Sequence, residues 1–397
     1  MVEHRSPKPT VGGSSPSCPA ILWKLLHGIK RRCSNLYSSS PRRVQQKINR
    51  LRGAEVQHRR FEIVQGLISA LPSAVSCTCG EHKAADQEHK GLEEKQLVFL
   101  HNPLAPKSGL KIARVTQTAG RIAAMFPKVQ VSICATQSRD VLGLQQALVV
   151  VSKNCGISIS RMKKLLRHGN ILIADYVDGD HHDNIDAMVN GFLCSSYTEF
   201  EWVSNRLLKN QQAVLVPHAA DDRFLGLDVR ENHSRTFRCG YFGGLTNGLF
   251  VEQLNNVGAL QAVESSVVAL SGDFFAAGGW ASQLLQYPVQ YIARPSMQVR
   301  GGRFKPFNKG FQSAQLGQIV IGARFDAENR YWLRDDYPFY VEEETLDSCV
   351  AAIQRCRSAW ESGDLAQART VMQKLRIISC PVQNALDYRD ALVRYLS

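Results

Sequence analysis

In the stretch GGRFKPFNKGFQSAQLGQIVIG (Gly301 to Gly322), the cations Arg303, Lys305 and Lys309 precede a short helical pattern and a β-branched run. A lysine at a helix start opposes the positive end of the helix dipole unless an anion is held there. Backbone amides and fixed ammonium groups together make a phosphate cradle, with lysine acting as a point charge. Asn308 and Gln312 add neutral donors on the same segment. The residues by themselves fit two readings, a diphosphate site or a solvated basic loop.

A second chemistry-bearing stretch is RCGYFGGLTNG (Arg238 to Gly248), which reads as strand, glycine turn and helix. Gly243 and Gly244 allow close backbone approach to a ligand, and Thr246 and Asn247 supply side-chain donors. A tight strand-to-helix turn would need the same glycines. The spacing matches neither G-x-G-x-x-G nor a P-loop, so dinucleotide and Walker-type binding are not expected. DYVDGDHHDN (Asp175 to Asn184) gathers Asp178, Asp180, His181, His182 and Asp183. Consecutive residues rarely converge on one ion, so a polar loop after a strand is the default there. Cys77, Cys79, His82 and His89 form only one C-x-C pair, a weak zinc pattern. No metal and no cofactor are expected.

Elements that could position these residues follow from periodicity. From Gln96, apolar strand-like runs alternate with helical ones: QLVFLHN, LKIARVTQTAGRIAAMF, VQVSICA, LQQALVVVS, SRMKKLLRHG, NILIADYVD, NGFLCSS, TEFEWVSNRLL and AVLVPH. The alternation restarts with TFRCGYFG and continues through LFVEQLNNVGAL, SVVALSG, WASQLLQ, VQYIARP, NKGFQSAQL, QIVIGA and YPFYVE to a helical finish from Thr345. Such alternation predicts parallel sheets built from right-handed β-α-β units. Two series predict an α/β protein of two doubly wound, Rossmann-like domains facing a cleft, at residues 96–229 and 230–397, with His218 at the hinge. Loops after strands then line the cleft.

The 397 residues carry a net charge of +13, and residues 1–70, with 13 Lys+Arg against 3 Asp+Glu, hold +10 of it. The remainder, at +3, lacks the basic excess of a nucleic-acid-binding core, and no nucleic-acid partner is expected. Residues 1–95 read as a basic extension and linker, the first 42 or so disordered by composition. ILWKLLHGIKRR within them suits a basic amphipathic helix, and residues 18–70 could contact an anionic membrane surface. The apolar centre of CPAILWKLLHGIKRR is short and broken by Lys24, so no secretory signal is expected. Eleven cysteines without framework spacing suit a reducing compartment, and the expected location is cytoplasmic, peripheral to the membrane if the tail docks there.

Five segments, in order, resemble GT-B glycosyltransferases of the nucleotide-sugar-dependent, family 1-like kind: GFLCSSYTEFEWV, VPHAADDRF, CGYFGGLTN, KPFNKGFQSAQLGQIVIG and DDYPFYVEEETLDSCVAAIQ. The resemblance covers residues 96–397. It implies sugar transfer from a nucleotide-sugar donor to a hydroxyl of a glycan, lipid-linked or small-molecule acceptor, without an obligatory metal. It assigns donor contacts to Gly243, Gly244, Thr246, Asn247, Lys305, Asn308, Lys309 and Gln312. His101, His181 and His182, after strands of the acceptor-side half, become the candidates to meet the acceptor hydroxyl. Many retaining members carry two spaced glutamates where this chain has Phe304 and Gln312. Stereochemical outcome therefore stays open, as do a catalytically silent scaffold and a nucleotide-sugar epimerase.

Overall fold

A computed structural model describes residues 90–102, 111–153, 155–224, 236–263, 283–296 and 304–396. Residues 1–89 of the basic extension and linker, with the C-x-C stretch, and the expected strand SVVALSG lie outside the described residues. All described residues belong to one compact unit.

Two parallel sheets make the chain an α/β protein, as the alternation predicts. The first contains β1 (Gln96–His101), β2 (Gln130–Ala135), β3 (Leu148–Ser152), β4 (Ile171–Asp175), β5 (Gly191–Cys194) and β6 (Gln212–Leu215), in the order β2-β1-β3-β4-β5-β6. The second contains β7 (Cys239–Phe242), β8 (Gln261–Val263), β9 (Val289–Tyr291), β10 (Ile319–Ala323) and β11 (Tyr340–Val341), in the order β11-β10-β9-β7-β8. Between and after them run α1 (Lys90–Glu93), α2 (Thr118–Met125), α3 (Ile159–Arg167), α4 (Asp183–Asp186), α5 (Tyr197–Ser204), α6 (Val251–Asn256), α7 (Asn308–Gln315), α8 (Ala327–Leu333), α9 (Leu346–Ser362), α10 (Ala366–Ile378) and α11 (Pro381–Arg394). Among the described residues no helix is long and apolar enough to cross a membrane.

The apolar runs become strands because both faces of each sheet are covered, which favours β-branched residues at every position. In β1, Val98 and Leu100 face one core while Leu97 and Phe99 face another. β3 alternates the same way, with Val149 and Val151 opposite Leu148 and Val150. The turn into α5 is read directly from its residues: Ser196 accepts the Glu199 amide at 3.2 Å, and the Glu199 carboxylate accepts the Ser195 amide at 2.9 Å, a capping arrangement.

One long-range feature departs from the sequence reading. The C-terminal helix α11 packs on α2 and places Tyr388, Ala391, Leu392 and Tyr395 in the core beneath the first sheet, although its place in the chain put it with the second. The approach is close at Gly191, where a Cβ would come within 2.2 Å of the Tyr395 ring, so only glycine fits. At its centre lies a buried ion pair. Arg114 donates from Nε to both Asp175 oxygens at 3.2 and 3.1 Å, and from Nη2 to Oδ1 at 3.1 Å. Its Nη1 donates to the carbonyls of Val216 and Pro217 at 2.8 and 3.3 Å. The Tyr388 hydroxyl donates to Asp175 Oδ2 at 2.7 Å.

Removing one partner of a buried pair strands the other charge, at a cost of about 3–5 kcal/mol. Arg114→Met or Asp175→Asn should therefore lower the urea midpoint sharply, whereas the paired change Arg114→Met with Asp175→Leu should recover part of the loss. A double variant no more stable than either single one would contradict this account.

Candidate functional site

In each sheet the strand order reverses beside its first strand, and in open parallel sheets ligands sit beyond the strand carboxyl ends at that point. In the second sheet the reversal falls between β7 and β9. β7 runs into Gly243 and Gly244, β9 into Arg294, and the start of α7 approaches both. The Lys309 ammonium lies 3.7 Å from the centre of the Tyr241 ring, a cation–π contact. Gly243 has φ +156°, and a Cβ there would lie 2.8 Å from Lys309 Nζ and 3.2 Å from the Tyr241 hydroxyl. The glycine thus gives the ammonium its room.

The details differ from the expected amide cradle. The Gly243 amide is spent on the Val263 carbonyl at 3.2 Å, and the Gly244 carbonyl accepts from the Tyr241 hydroxyl at 2.7 Å. Thr246 and Asn247 are exposed on a short 3₁₀ turn. Positive charge comes instead from side chains. Among the described residues no carboxylate pairs with Lys309; burial, and then the nearby charge of Arg294, pull its pKa down to about 7. One helical turn on, Gln312 keeps its Nε2 buried with no partner among the described residues, while Asn308 is exposed. Lys309 and Gln312, three apart, share one face of α7.

Lys305, expected beside Lys309 as a second phosphate contact, is engaged elsewhere. Its ammonium donates to Asp178 Oδ2 at 2.6 Å, on the loop after β4, and Lys153 after β3 bonds the other oxygen. Burial pushes the Asp178 carboxyl up, but the bonds from Lys153 and Lys305 outweigh this and hold it below the usual range. Val177, next to Asp178, sits at φ +62°, a costly conformation for a β-branched residue. Arg294 donates to the Lys305 carbonyl at 3.2 Å and to Asp326 at 3.1 Å.

The three histidines have separate environments. His101 ends β1, at the switch point of the first sheet, and its carbonyl accepts both the amide and the hydroxyl of Thr136 at 3.0 Å. His182 is exposed. His181 is buried between Asp186 at 3.0 Å and Glu199 at 3.4 Å. Burial favours its neutral ring, yet the two carboxylates push its pKa up to about 9. An imidazolium so held does not accept a proton at neutral pH. Trp202 and Phe304 close over it, with ring centres 4.9 and 6.1 Å away. Phe304 is thus an apolar plug at one of the two positions where the resemblance has a glutamate.

Sequence reasoning passed over Arg294, Lys153 and Glu328. For the first two the signal was available, since each is a cation just beyond a strand end. Glu328, in the unread helix α8, accepts the amides of Tyr197 and Thr198 at 3.2 and 3.1 Å and the Trp332 indole at 2.6 Å. It caps α5 of the first sheet from the second, and Tyr331 stacks on Tyr197 at 3.9 Å beside it. Among the described residues no three of His, Cys, Asp and Glu are placed to hold a metal ion.

No family model matches the chain. No curated protein matches it either. Among solved structures it is similar to the pneumococcal O-GlcNAc transferase GtfA, crystallised with UDP and GlcNAc, at 12% identity and a TM-score of 0.42. The alignment covers 65% of this chain and 58% of that one, so this chain spans less than two thirds of its length.

The His181 pairing makes a signed prediction. Its folded pKa of about 9 exceeds the unfolded value near 6.5, so its stabilisation is complete below about pH 6.5 and disappears as pH rises through 9. In denaturant titrations the stability difference between wild type and His181→Asn should shrink by about 3 kcal/mol from pH 6 to pH 9.5. A difference independent of pH would refute a charged His181.

Proposed function

We propose that this protein transfers a sugar from a nucleotide-sugar donor to an acceptor hydroxyl. Lys309 is the observation that carries this reading: a half-buried ammonium with no carboxylate partner among the described residues, set against Gly243 at the sheet's switch point and near Arg294. A phosphate is the ligand whose charge and acceptor oxygens suit that gap. The five-segment resemblance supports the same reading from the sequence side. The proposal takes the second sheet and its helices, from residue 230 to α10, as the donor half, and residues 96–229 together with α11 as the acceptor half. It casts the acceptor as a glycan or lipid-linked alcohol and the transfer as metal-independent.

When the sugar–phosphate bond breaks, negative charge grows on the leaving diphosphate. Lys309 and Arg294 would stabilise it as fixed cations requiring no rearrangement. Gln312 would donate to a donor hydroxyl. His101 is the group proposed to take the acceptor proton, with His182 as the exposed alternative; His181 would position the loop that carries Asp178 and His182. The basic segment 18–70 is proposed to rest on an anionic membrane, and deletion of residues 1–70 should abolish flotation with phosphatidylserine vesicles; unchanged flotation would exclude that role.

Phe304 in its aromatic cluster favours a second reading, a nucleotide-binding protein that no longer turns over. The two separate on one assay, release of nucleoside diphosphate from the best-bound nucleotide-sugar with and without acceptors. Interconversion of the donor with no acceptor would instead identify an epimerase.

A thermal-shift screen of nucleoside diphosphates and nucleotide-sugars tests the shared premise, because a ligand that binds only the folded state raises Tm. Lys309→Ala and Gly243→Ala should each weaken the best ligand by roughly tenfold or more. Because Lys309 starts near pKa 7 and an adjacent anion raises it, binding above pH 7 should take up a proton, visible as buffer-dependent heats in calorimetry. The reading fails if no nucleoside diphosphate or sugar derivative shifts Tm.

A further inference from the structure

Lys305 belongs to the phosphate site by its backbone and to the opposite wall by its side chain. Its carbonyl is bonded by Arg294, the guanidinium whose charge is felt by Lys309. Its ammonium, about one-third exposed, reaches across to Asp178 at 2.6 Å, a residue 127 positions earlier in the chain. Lys153 shares the same carboxylate, so the trio is left with one excess positive charge. A lysine stem has several rotatable bonds, and its head can turn from one anion to another without moving the backbone.

We propose that Asp178 sets the anion affinity of this site: in the empty protein its carboxylate occupies Lys305 in place of a ligand phosphate, and a bound phosphate draws Lys305 away, leaving Asp178 with Lys153. The inference rests on the reading of Lys309, Arg294 and Gly243 as a phosphate site and deepens it by naming what the ligand must displace. Two consequences follow from charge alone. Lys305 contributes little to ligand affinity while Asp178 competes for it, and much more once that competitor is neutral. By reciprocity, anion binding loosens the Lys305 contact to the loop after β4 by the same factor by which that contact weakens binding. The contact between the loops of the two sheets is therefore traded against the ligand.

The full-length chain tests this with a double-variant cycle, using UDP and inorganic pyrophosphate as probes in calorimetry at fixed low salt. Asp178→Asn keeps the side-chain size and removes the charge; it should bind either probe roughly tenfold tighter than wild type. Lys305→Met should cost about twofold in the wild-type background and roughly twentyfold in Asp178→Asn. The coupling is what matters, since loss of any nearby carboxylate would raise anion affinity a little. Asp178→Ser is the second variant if Asp178→Asn fails to fold. An equal cost for Lys305→Met in both backgrounds overturns the inference, as does an Asp178→Asn affinity no higher than wild type. If wild type binds UDP and Lys309→Ala does not, while Asp178→Asn changes nothing, the phosphate site stands and the inference alone falls. If neither probe binds wild type or any variant, the site reading falls and takes the inference with it.

Discussion

The buried pair of Arg114 and Asp175 is the constraint on which the other positions depend. An unpaired charge at such depth is prohibitively costly, so each donor and acceptor of the pair dictates where its neighbours stand. Asp175 ends β4 and thereby fixes the origin of the loop that bears Asp178 and His181. Arg114 holds the carbonyls of Val216 and Pro217, where the chain leaves the first sheet for the second. Tyr388 ties α11 to the same carboxylate. A neighbouring cation repeats the pattern: Arg121 bonds Asp222 at 2.7 Å, the Ala220 carbonyl at 3.1 Å and Asn384 at 3.0 Å. The crossover between sheets is thus gripped from the first sheet and from the C-terminal helix together.

His218 is buried, and burial together with the charges of Arg114 and Arg121 holds its pKa well below the ordinary value. It lies just after β6, where the chain leaves the first sheet. Positive charge is thus used in two ways in this protein. Where the chain must be held, cations are saturated with carboxylates and carbonyls. Beyond β7 and β9, Lys309 has no carboxylate partner among the described residues, Lys305 meets Asp178 on the other wall, and Arg294 is tied to Asp326 and the Lys305 carbonyl. That difference singles out Lys309 as the candidate anion contact.

Much of this was legible in the residues. Fully buried parallel strands need continuous apolar runs, so β1, β3, β4 and β10 announce themselves in QLVFLHN, ALVVVS, NILIADY and QIVIGA. The glycine turn after β7 and the lysines before α7 were visible too, because both obey local rules of backbone freedom and helix polarity. The partner of Lys305 was not visible: an ion pair across 127 residues leaves no periodicity or spacing to read. The same holds for Glu328, whose carboxylate caps a helix 130 residues away. His181 illustrates the limit from the other side. Its residue type suggested proton transfer, whereas Asp186 and Glu199, brought against it by α4 and α5, hold it as a cation.

The sequence by itself determined the class of fold, the strands of the first sheet, β7, β9, β10 and β11 of the second, and the loops beyond them that carry polar residues, since hydrophobic periodicity and turn chemistry act over a few residues; it did not mark β8. Tertiary structure decided which cation meets a carboxylate and which has none among the described residues, because charge pairing depends on distance in space. It also decided that the last helix completes the first sheet's core. Lys305 and Lys309 are four residues apart and alike in chemistry; only the loop after β4 makes them different.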